Sequence, residues 1–174
     1  MNKKAVFLDR DGVINKEIGY LNKIKDFLFI SDVFKACSLF KEKNFEIIII
    51  TNQSGIARGM YSEEDFHALN RWMLNEFSNN NISILDVEYC PHGPEDYCTC
   101  RKPKPGMIFS ASYKHGINLK ESWLIGDKET DIQAAINAGI SNKVLIKTGH
   151  EINEADTMAD FVVNSLTEVT KLIN

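Results

Sequence analysis

The chain has 174 residues, enough to fill one core of ordinary size, and 44% hydrophobic with 25% charged residues and only four prolines exclude disordered, collagenous and repeat architectures. A net charge of −4 leaves no broad basic face for nucleic acid, so an anionic ligand must be held by a local basic cluster. No apolar run approaches the roughly 20 residues that span a bilayer, and Met1 to Phe7 offers too short an apolar stretch for a signal peptide, so a cytoplasmic protein without a membrane partner is expected.

Taken in chain order, Ala5 to Leu8 is a short apolar run that predicts a buried strand ending at Asp9. Val33 to Lys43 places Val33, Phe34, Ala36, Leu39 and Phe40 on one wide helical face, and Cys37 on that face reads as core. Glu46 to Ile50 is a β-branched strand ending at Thr51. Ser62 and the three acids after it make a helix start, beyond which Phe66, Leu69, Trp72, Met73 and Phe77 recur at helical spacing. Val87 to Tyr89 predicts a further strand, and residues 90–105 lack any period and read as an inserted loop. Ile108 to Tyr113 and Asp131 to Ala138 predict helices, the second stopped by Gly139; Leu166 to Ile173 predicts another. Trp123 to Ile125, Val144 to Ile146 and Phe161 to Val163 predict strands, the first running into Gly126 and Asp127.

Strands alternating with helices predict an α/β fold, a doubly wound (Rossmann-like) parallel sheet, here as one domain over 1–174 with a small loop at about 90–105 and no large cap. In such sheets ligands bind beyond the carboxyl ends of the strands. Asp9, Thr51 and Asp127 are therefore expected to converge on one rim. Asp9, Asp11 and Asp127 repel one another unless a divalent cation neutralises them, and hard oxygen ligands with room for water and phosphate suit Mg²⁺. With a lysine, Lys102, to offset phosphoryl charge, Asp9 is placed to attack phosphorus. Asp11 is the matching general acid and base, and Thr51 and Lys102 hold the phosphoryl oxygens.

Cys90-Pro91-His92, followed by Cys98-Thr99-Cys100, offers three thiolates and an imidazole in one loop, a closed tetrahedral set suited to structural Zn²⁺. Disulfides are disfavoured in the expected compartment, and Cys98 and Cys100 are too close in sequence to pair without strain. Arg101 and Lys102 follow the last ligand directly, so the clamp would deliver both to the rim.

The segments Phe7-Leu8-Asp9-Arg10-Asp11-Gly12, Thr51-Asn52, Lys102 and Gly126-Asp127 with Asp131 resemble the four motifs of the haloacid dehalogenase superfamily. That resemblance implies an aspartyl-phosphate intermediate, with Asp9 and Asp127 holding Mg²⁺ by side chain and Asp11 by its backbone carbonyl. Asp9 to Asn15, Gly19-Tyr20-Leu21, Thr51 to Gly59, the cysteine and histidine loop, Pro105-Gly106-Met107 and Gly126-Asp127-Lys128 are similar to the family of D-glycero-D-manno-heptose 1,7-bisphosphate 7-phosphatases. It implies an enzyme of nucleotide-activated heptose and lipopolysaccharide biosynthesis acting on a small phosphorylated sugar, and a monomer is expected. Glu17, Ile18, Gly19, Tyr20, Asn52, Gln53, Ser54, Arg101 and Lys128 would then contact the sugar or its second phosphate. The five-residue step from His92 to Cys98 instead resembles the related histidinol-phosphate phosphatases, which stand as the alternative. A receiver-like switch and a non-catalytic zinc-bearing binding domain are the more distant readings.

Overall fold

A computed structural model describes residues 3–173, so residues 1, 2 and 174 of the expected domain lie outside it. The central strand segments are apolar on both faces, the pattern of parallel strands covered on both sides, and the edge segments are more polar or more exposed. They form β1 (Lys4–Leu8), β2 (Phe45–Asn52), β3 (Asp86–Cys90), β4 (Trp123–Gly126), β5 (Asn142–Ile146) and β6 (Phe161–Val163). All pair in parallel, in the order β3-β2-β1-β4-β5-β6.

Alternation along each strand splits the core in two. Val6, Leu8, Ile47, Ile49, Ile125 and Val144 face helices α1 (Val33–Glu42), α3 (Glu63–Asn79) and α6 (Leu166–Leu172), through Val33, Phe40, Leu69, Phe77, Leu166 and Val169. Cys37 is buried in this layer, as expected of a core residue. Phe7, Ile48, Ile50 and Leu124 face α4 (Gly106–His115) and α5 (Glu129–Ala138), through Met107, Ile108, Ala111, Ala134 and Ala135.

Two helices begin two residues earlier than their apolar periods suggest. In α5 the reason is visible: Asp131 Oδ2 accepts from the Lys128 amide at 3.1 Å, so the chain turns helical at Glu129. Ser62 caps α3 through a capping box with Asp65, and Gly139 ends α5 in the left-handed region. A one-turn helix, α2 (Ser54–Ala57), has no periodic signal of its own. Residues 91–104 carry no helix or strand. No helix among the described residues is long and apolar enough to cross a membrane.

The connection after β1 is tied down by aromatics. Phe27 packs on Phe29 and Trp72 with ring centroids 4.7 and 5.2 Å away, and Phe29 meets Phe34 and Phe77 at 4.7 and 5.9 Å. This anchors the far end of the segment that carries Glu17 to Tyr20 above the sheet rim.

Candidate active site

Chain order reverses beside β1, because β2 and β3 lie to one side of it and β4, β5 and β6 to the other. That switch opens a crevice at the carboxyl ends of β1 and β4. Asp9 leaves β1 with its amide bonded to the Ile125 carbonyl at 3.0 Å, which fixes it beside β4. Thr51 and Asn52 are the last residues of β2, inside the strand rather than beyond it, and Asp127 follows β4 at once.

Lys102 reaches this rim from the irregular loop. The Asn52 amide grips its backbone at both ends, accepting from Lys102 N at 3.0 Å and donating to Lys102 O at 3.1 Å. Its buried Nζ lies 2.9 Å from Asp9 Oδ1, 2.7 Å from Asp131 Oδ1 and 3.0 Å from the Ile50 carbonyl. Burial opposes its charge, but Asp131 and Asp9 more than compensate and raise its pKa above the ordinary lysine value. Lys102 is therefore a permanent cation.

Asp9, Asp127 and Asp131 each offer a carboxylate oxygen, all within 4.8 Å of one another. Burial raises the pKa of Asp9, and the charges of Asp131 and Asp127 add to it against the pull of Lys102. Burial raises Asp127 too, opposed by the bond from His150. Asp127 Oδ2 accepts from the His150 amide at 3.1 Å and lies 2.6 Å from its Nδ1, while Oδ1 is buried with no partner. A Cβ on Gly12 or Gly149 would collide with the Asp127 carboxylate, so both glycines are needed for this packing. An orphaned carboxylate oxygen among buried like charges is what a hard cation relieves, and the group fits Mg²⁺. Asp131, left out of the expected ligand set, stands within this group.

The carboxylate of Asp11 points elsewhere. It accepts from Arg10 Nε at 3.2 Å and Nη2 at 3.0 Å, from Asn15 Nδ2 at 3.0 Å and from Gln53 Nε2 at 3.1 Å. Burial would raise its pKa, but Arg10 and these bonds outweigh it and hold Asp11 below its ordinary value. Its side chain thus stays apart from the acidic trio, as a ligand using only its backbone carbonyl requires.

Above these residues opens a cleft of about 560 Å³ lined by Glu17, Gly19, Tyr20, Ser54, Arg101 and Lys128, among others, within the ~300–1,000 Å³ usual for small-ligand sites. Its floor is a pocket of about 60 Å³ walled by Asp9, Asp11, Thr51, Lys102 and Asp131. Glu17 faces Lys128 across the mouth at 3.6 Å, and Arg101 Nη1 donates to the His92 carbonyl at 3.2 Å. Two expected contacts sit differently. Ile18 is 51% exposed and off the cleft lining, and Gln53 is 3% exposed beneath it. Tyr61, Thr130 and His150 line the cleft without having been singled out. His150 was findable in principle, since it follows β5 on the same rim.

In the loop, Cys90 Sγ lies 3.7 Å from Cys98 Sγ, 3.1 Å from Cys100 Sγ and 3.6 Å from His92 Nδ1, which is itself 3.3 Å from Cys100 Sγ. Zn–S bonds of ~2.3 Å at tetrahedral angles place sulfurs about 3.8 Å apart, and sulfur and nitrogen about 3.5 Å apart. The set is slightly contracted from that geometry and too open for a disulfide. Burial pushes the Cys90 thiol up, whereas Cys98 is drawn down to about 7 against burial by the Arg101 amide and the neighbouring thiols. All four groups fit Zn²⁺.

The acidic group makes a stability prediction. A carboxyl whose pKa rises on folding favours the folded state below its ordinary value, and loses that stability as pH climbs through the raised one. In chelator at neutral pH, Asp127→Asn should therefore melt above the wild type, with the gap closing as pH falls through the raised value. Adding Mg²⁺ should raise only the wild type, by about 2.7 kcal/mol at a hundredfold excess over Kd. Thermal scans of both proteins check this; an equal Mg²⁺ response would remove Asp127 from the site.

Residues 99–169 match the family model described as HAD-hydrolase-like. A D-glycero-alpha-D-manno-heptose-1,7-bisphosphate 7-phosphatase from Photorhabdus laumondii is 46% identical over 98% of this chain and 96% of its own length. The D-glycero-beta-D-manno-heptose-1,7-bisphosphate 7-phosphatase of Escherichia coli is 42% identical over 97% of this chain and 93% of its own. The crystal structure of D,D-heptose 1,7-bisphosphate phosphatase from B. bronchiseptica, complexed with magnesium and phosphate, is similar with a TM-score of 0.83 at 29% identity, over 97% of both chains. With such identity along nearly its whole length, this chain belongs to the D-glycero-D-manno-heptose-1,7-bisphosphate 7-phosphatase family of haloacid dehalogenase-like hydrolases.

Proposed function

We infer that this chain hydrolyses the C7 phosphate of D-glycero-D-manno-heptose 1,7-bisphosphate, leaving the heptose 1-phosphate, as a cytoplasmic monomer whose 174 residues form one catalytic domain with its zinc loop at 90–105. One observation carries the reading: a small pocket walled by Asp9, Thr51 and Lys102 adjoins a larger cleft with a further cation, Arg101, on its wall, and Lys128 stands where the two meet. A bisphosphate matches that division.

In the first step a carboxylate oxygen of Asp9 attacks phosphorus and the bond from phosphorus to the C7 oxygen breaks. The carboxyl of Asp11 gives its proton to the leaving oxygen. In the second step the Asp11 carboxylate takes a proton from water as the water oxygen attacks the aspartyl-phosphate. The bond to Asp9 breaks as the new bond forms, releasing inorganic phosphate and leaving Asp9 ionised and Asp11 protonated by the proton taken from water. Lys102 and Thr51 hold the phosphoryl oxygens throughout. Asp9, Asp127 and the Asp11 carbonyl would hold Mg²⁺, which when bound offsets phosphoryl charge. The grip of Arg10 favours the ionised Asp11 needed for the second step. An arriving phosphate dianion favours the protonated form needed for the first.

Arg101 and Lys128 would bind the phosphate that is kept. A charge-assisted hydrogen bond is worth ~1.5–3 kcal/mol, so Arg101→Ala should lower kcat/KM for the bisphosphate by about tenfold to a hundredfold and that for an aryl phosphate far less. Equal losses on both would reject the role of Arg101. The same phosphate-release assay run on histidinol phosphate tests the substrate. Hydrolysis of histidinol phosphate faster than the bisphosphate by more than about tenfold would overturn the reading.

A further inference from the structure

Gln53 uses both ends of its amide. Nε2 donates to Asp11 Oδ2 at 3.1 Å and to Thr51 Oγ1 at 2.7 Å, while Oε1 accepts from the Tyr61 hydroxyl at 2.5 Å. One buried side chain thus couples the group that moves protons to the group that holds phosphoryl oxygen. Its orientation matters, since a half-turn of the amide sets Oε1 against the Asp11 carboxylate, acceptor to acceptor.

Tyr61 secures the other end. It is 7% exposed, and burial pushes its pKa up to about 12 despite the nearby charge of Arg10, so its hydroxyl keeps its proton. Space for the ring is specific: a Cβ on Gly55 would collide with it. The glycine in Thr51-Asn52-Gln53-Ser54-Gly55 therefore admits a tyrosine six residues further on. Without the hydroxyl, Oε1 of Gln53 would be a buried acceptor with no donor, a state side chains leave by rotating. Asp11 and Thr51 would then lose their common donor.

We propose that Tyr61 is a positioning residue for the reaction, acting through Gln53 to hold the Asp11 carboxyl and the Thr51 hydroxyl in register with the phosphoryl group. This rests on the roles given to Asp11 and Thr51 above. Tyr61 also borders the cleft, so a direct contact with the sugar is the competing role, and the two differ kinetically. An interaction made only in the transition state lowers kcat, whereas a uniform binding contact raises KM.

The test measures steady-state phosphate release from heptose 1,7-bisphosphate, with thermal scans, for Tyr61→Phe, Gln53→Met, Asp11→Asn and the double variants. Tyr61→Phe should lower kcat by about tenfold with KM within about twofold, and melt within a few degrees of the wild type. Gln53→Met, which keeps bulk but no amide, should give a similar loss. Adding Tyr61→Phe to Gln53→Met or to Asp11→Asn should cost less than a further twofold or so, because residues acting as a unit are not additive. A wild-type kcat in Tyr61→Phe, a raised KM at unchanged kcat, or losses that multiply in the double variants would each overturn the proposal. If Asp11→Asn itself turned over normally, the reading of Asp11 would fall and the proposal with it. If Asp11→Asn were impaired and Tyr61→Phe normal, only the role of Tyr61 would fall.

Discussion

Replacing Asp9 with Asn is expected to lower kcat by about ten-thousandfold or more while the protein still folds and still binds metal in its loop. The amide has no anionic oxygen to attack phosphorus, and among the described residues each other carboxylate lining the floor pocket has a partner of its own: Glu17 faces Lys128 and accepts from the Gly19 amide. Asp131 pairs with Lys102, and Asp11 is gripped by Arg10, Asn15 and Gln53. The fold should tolerate the change because two effects oppose each other. Losing a buried charge beside Asp127 and Asp131 relieves repulsion, and Lys102 loses one of two anionic partners while keeping Asp131 and the Ile50 carbonyl. Acid-quenched wild type should carry a phosphoryl group and Asp9→Asn should not, as mass spectrometry would show. Near-normal turnover in the variant, or phosphorylation at another residue, rejects Asp9 as nucleophile.

Serine at Cys100 should remove zinc and with it most activity, with kcat/KM falling by about a hundredfold or more. Zinc binding to structural sites is worth an apparent ~10–16 kcal/mol, and residues 91–104 have no helix or strand to hold their course without it. Lys102 is two residues past the last ligand, and Arg101 is tied to the carbonyl of the ligand His92. A slack loop would therefore withdraw Arg101 from the cleft and leave Lys102 to the grip of Asn52, Asp9 and Asp131 alone. The sheet, whose strands pair through their own ladder, should remain folded. Metal analysis should find one zinc per wild-type chain and none in the variant, and protease should cut the loop of the variant first. A zinc-free protein with full activity would show that the loop orders itself.

Much of the site was legible because each motif sits where an apolar strand stops. A run such as Phe7-Leu8 or Leu124-Ile125 can be buried on both faces only in a covered parallel sheet, and the polar residue after it must surface at the rim. The cysteine and histidine cluster was legible for a different reason: its residue types and spacing are themselves those of a coordination set that could hold zinc. Periodicity says nothing about direction, however. Ile18, expected at the sugar, faces solvent, and Gln53 turns under the cleft toward Tyr61.

What this chain's sequence by itself determined was the set of strand-end residues, Asp9, Thr51 and Asp127, the lysine that joins them and the cluster of Cys90, His92, Cys98 and Cys100 in the loop. Tertiary structure alone decided the pairings within that set: Lys102 between Asp9 and Asp131, Asp11 under Arg10, His150 on Asp127, and Tyr61 behind Gln53. The physical reason is that burial leaves a period in the chain, whereas a hydrogen bond between distant residues depends on strand order and on the path of loops that aromatic packing holds in place.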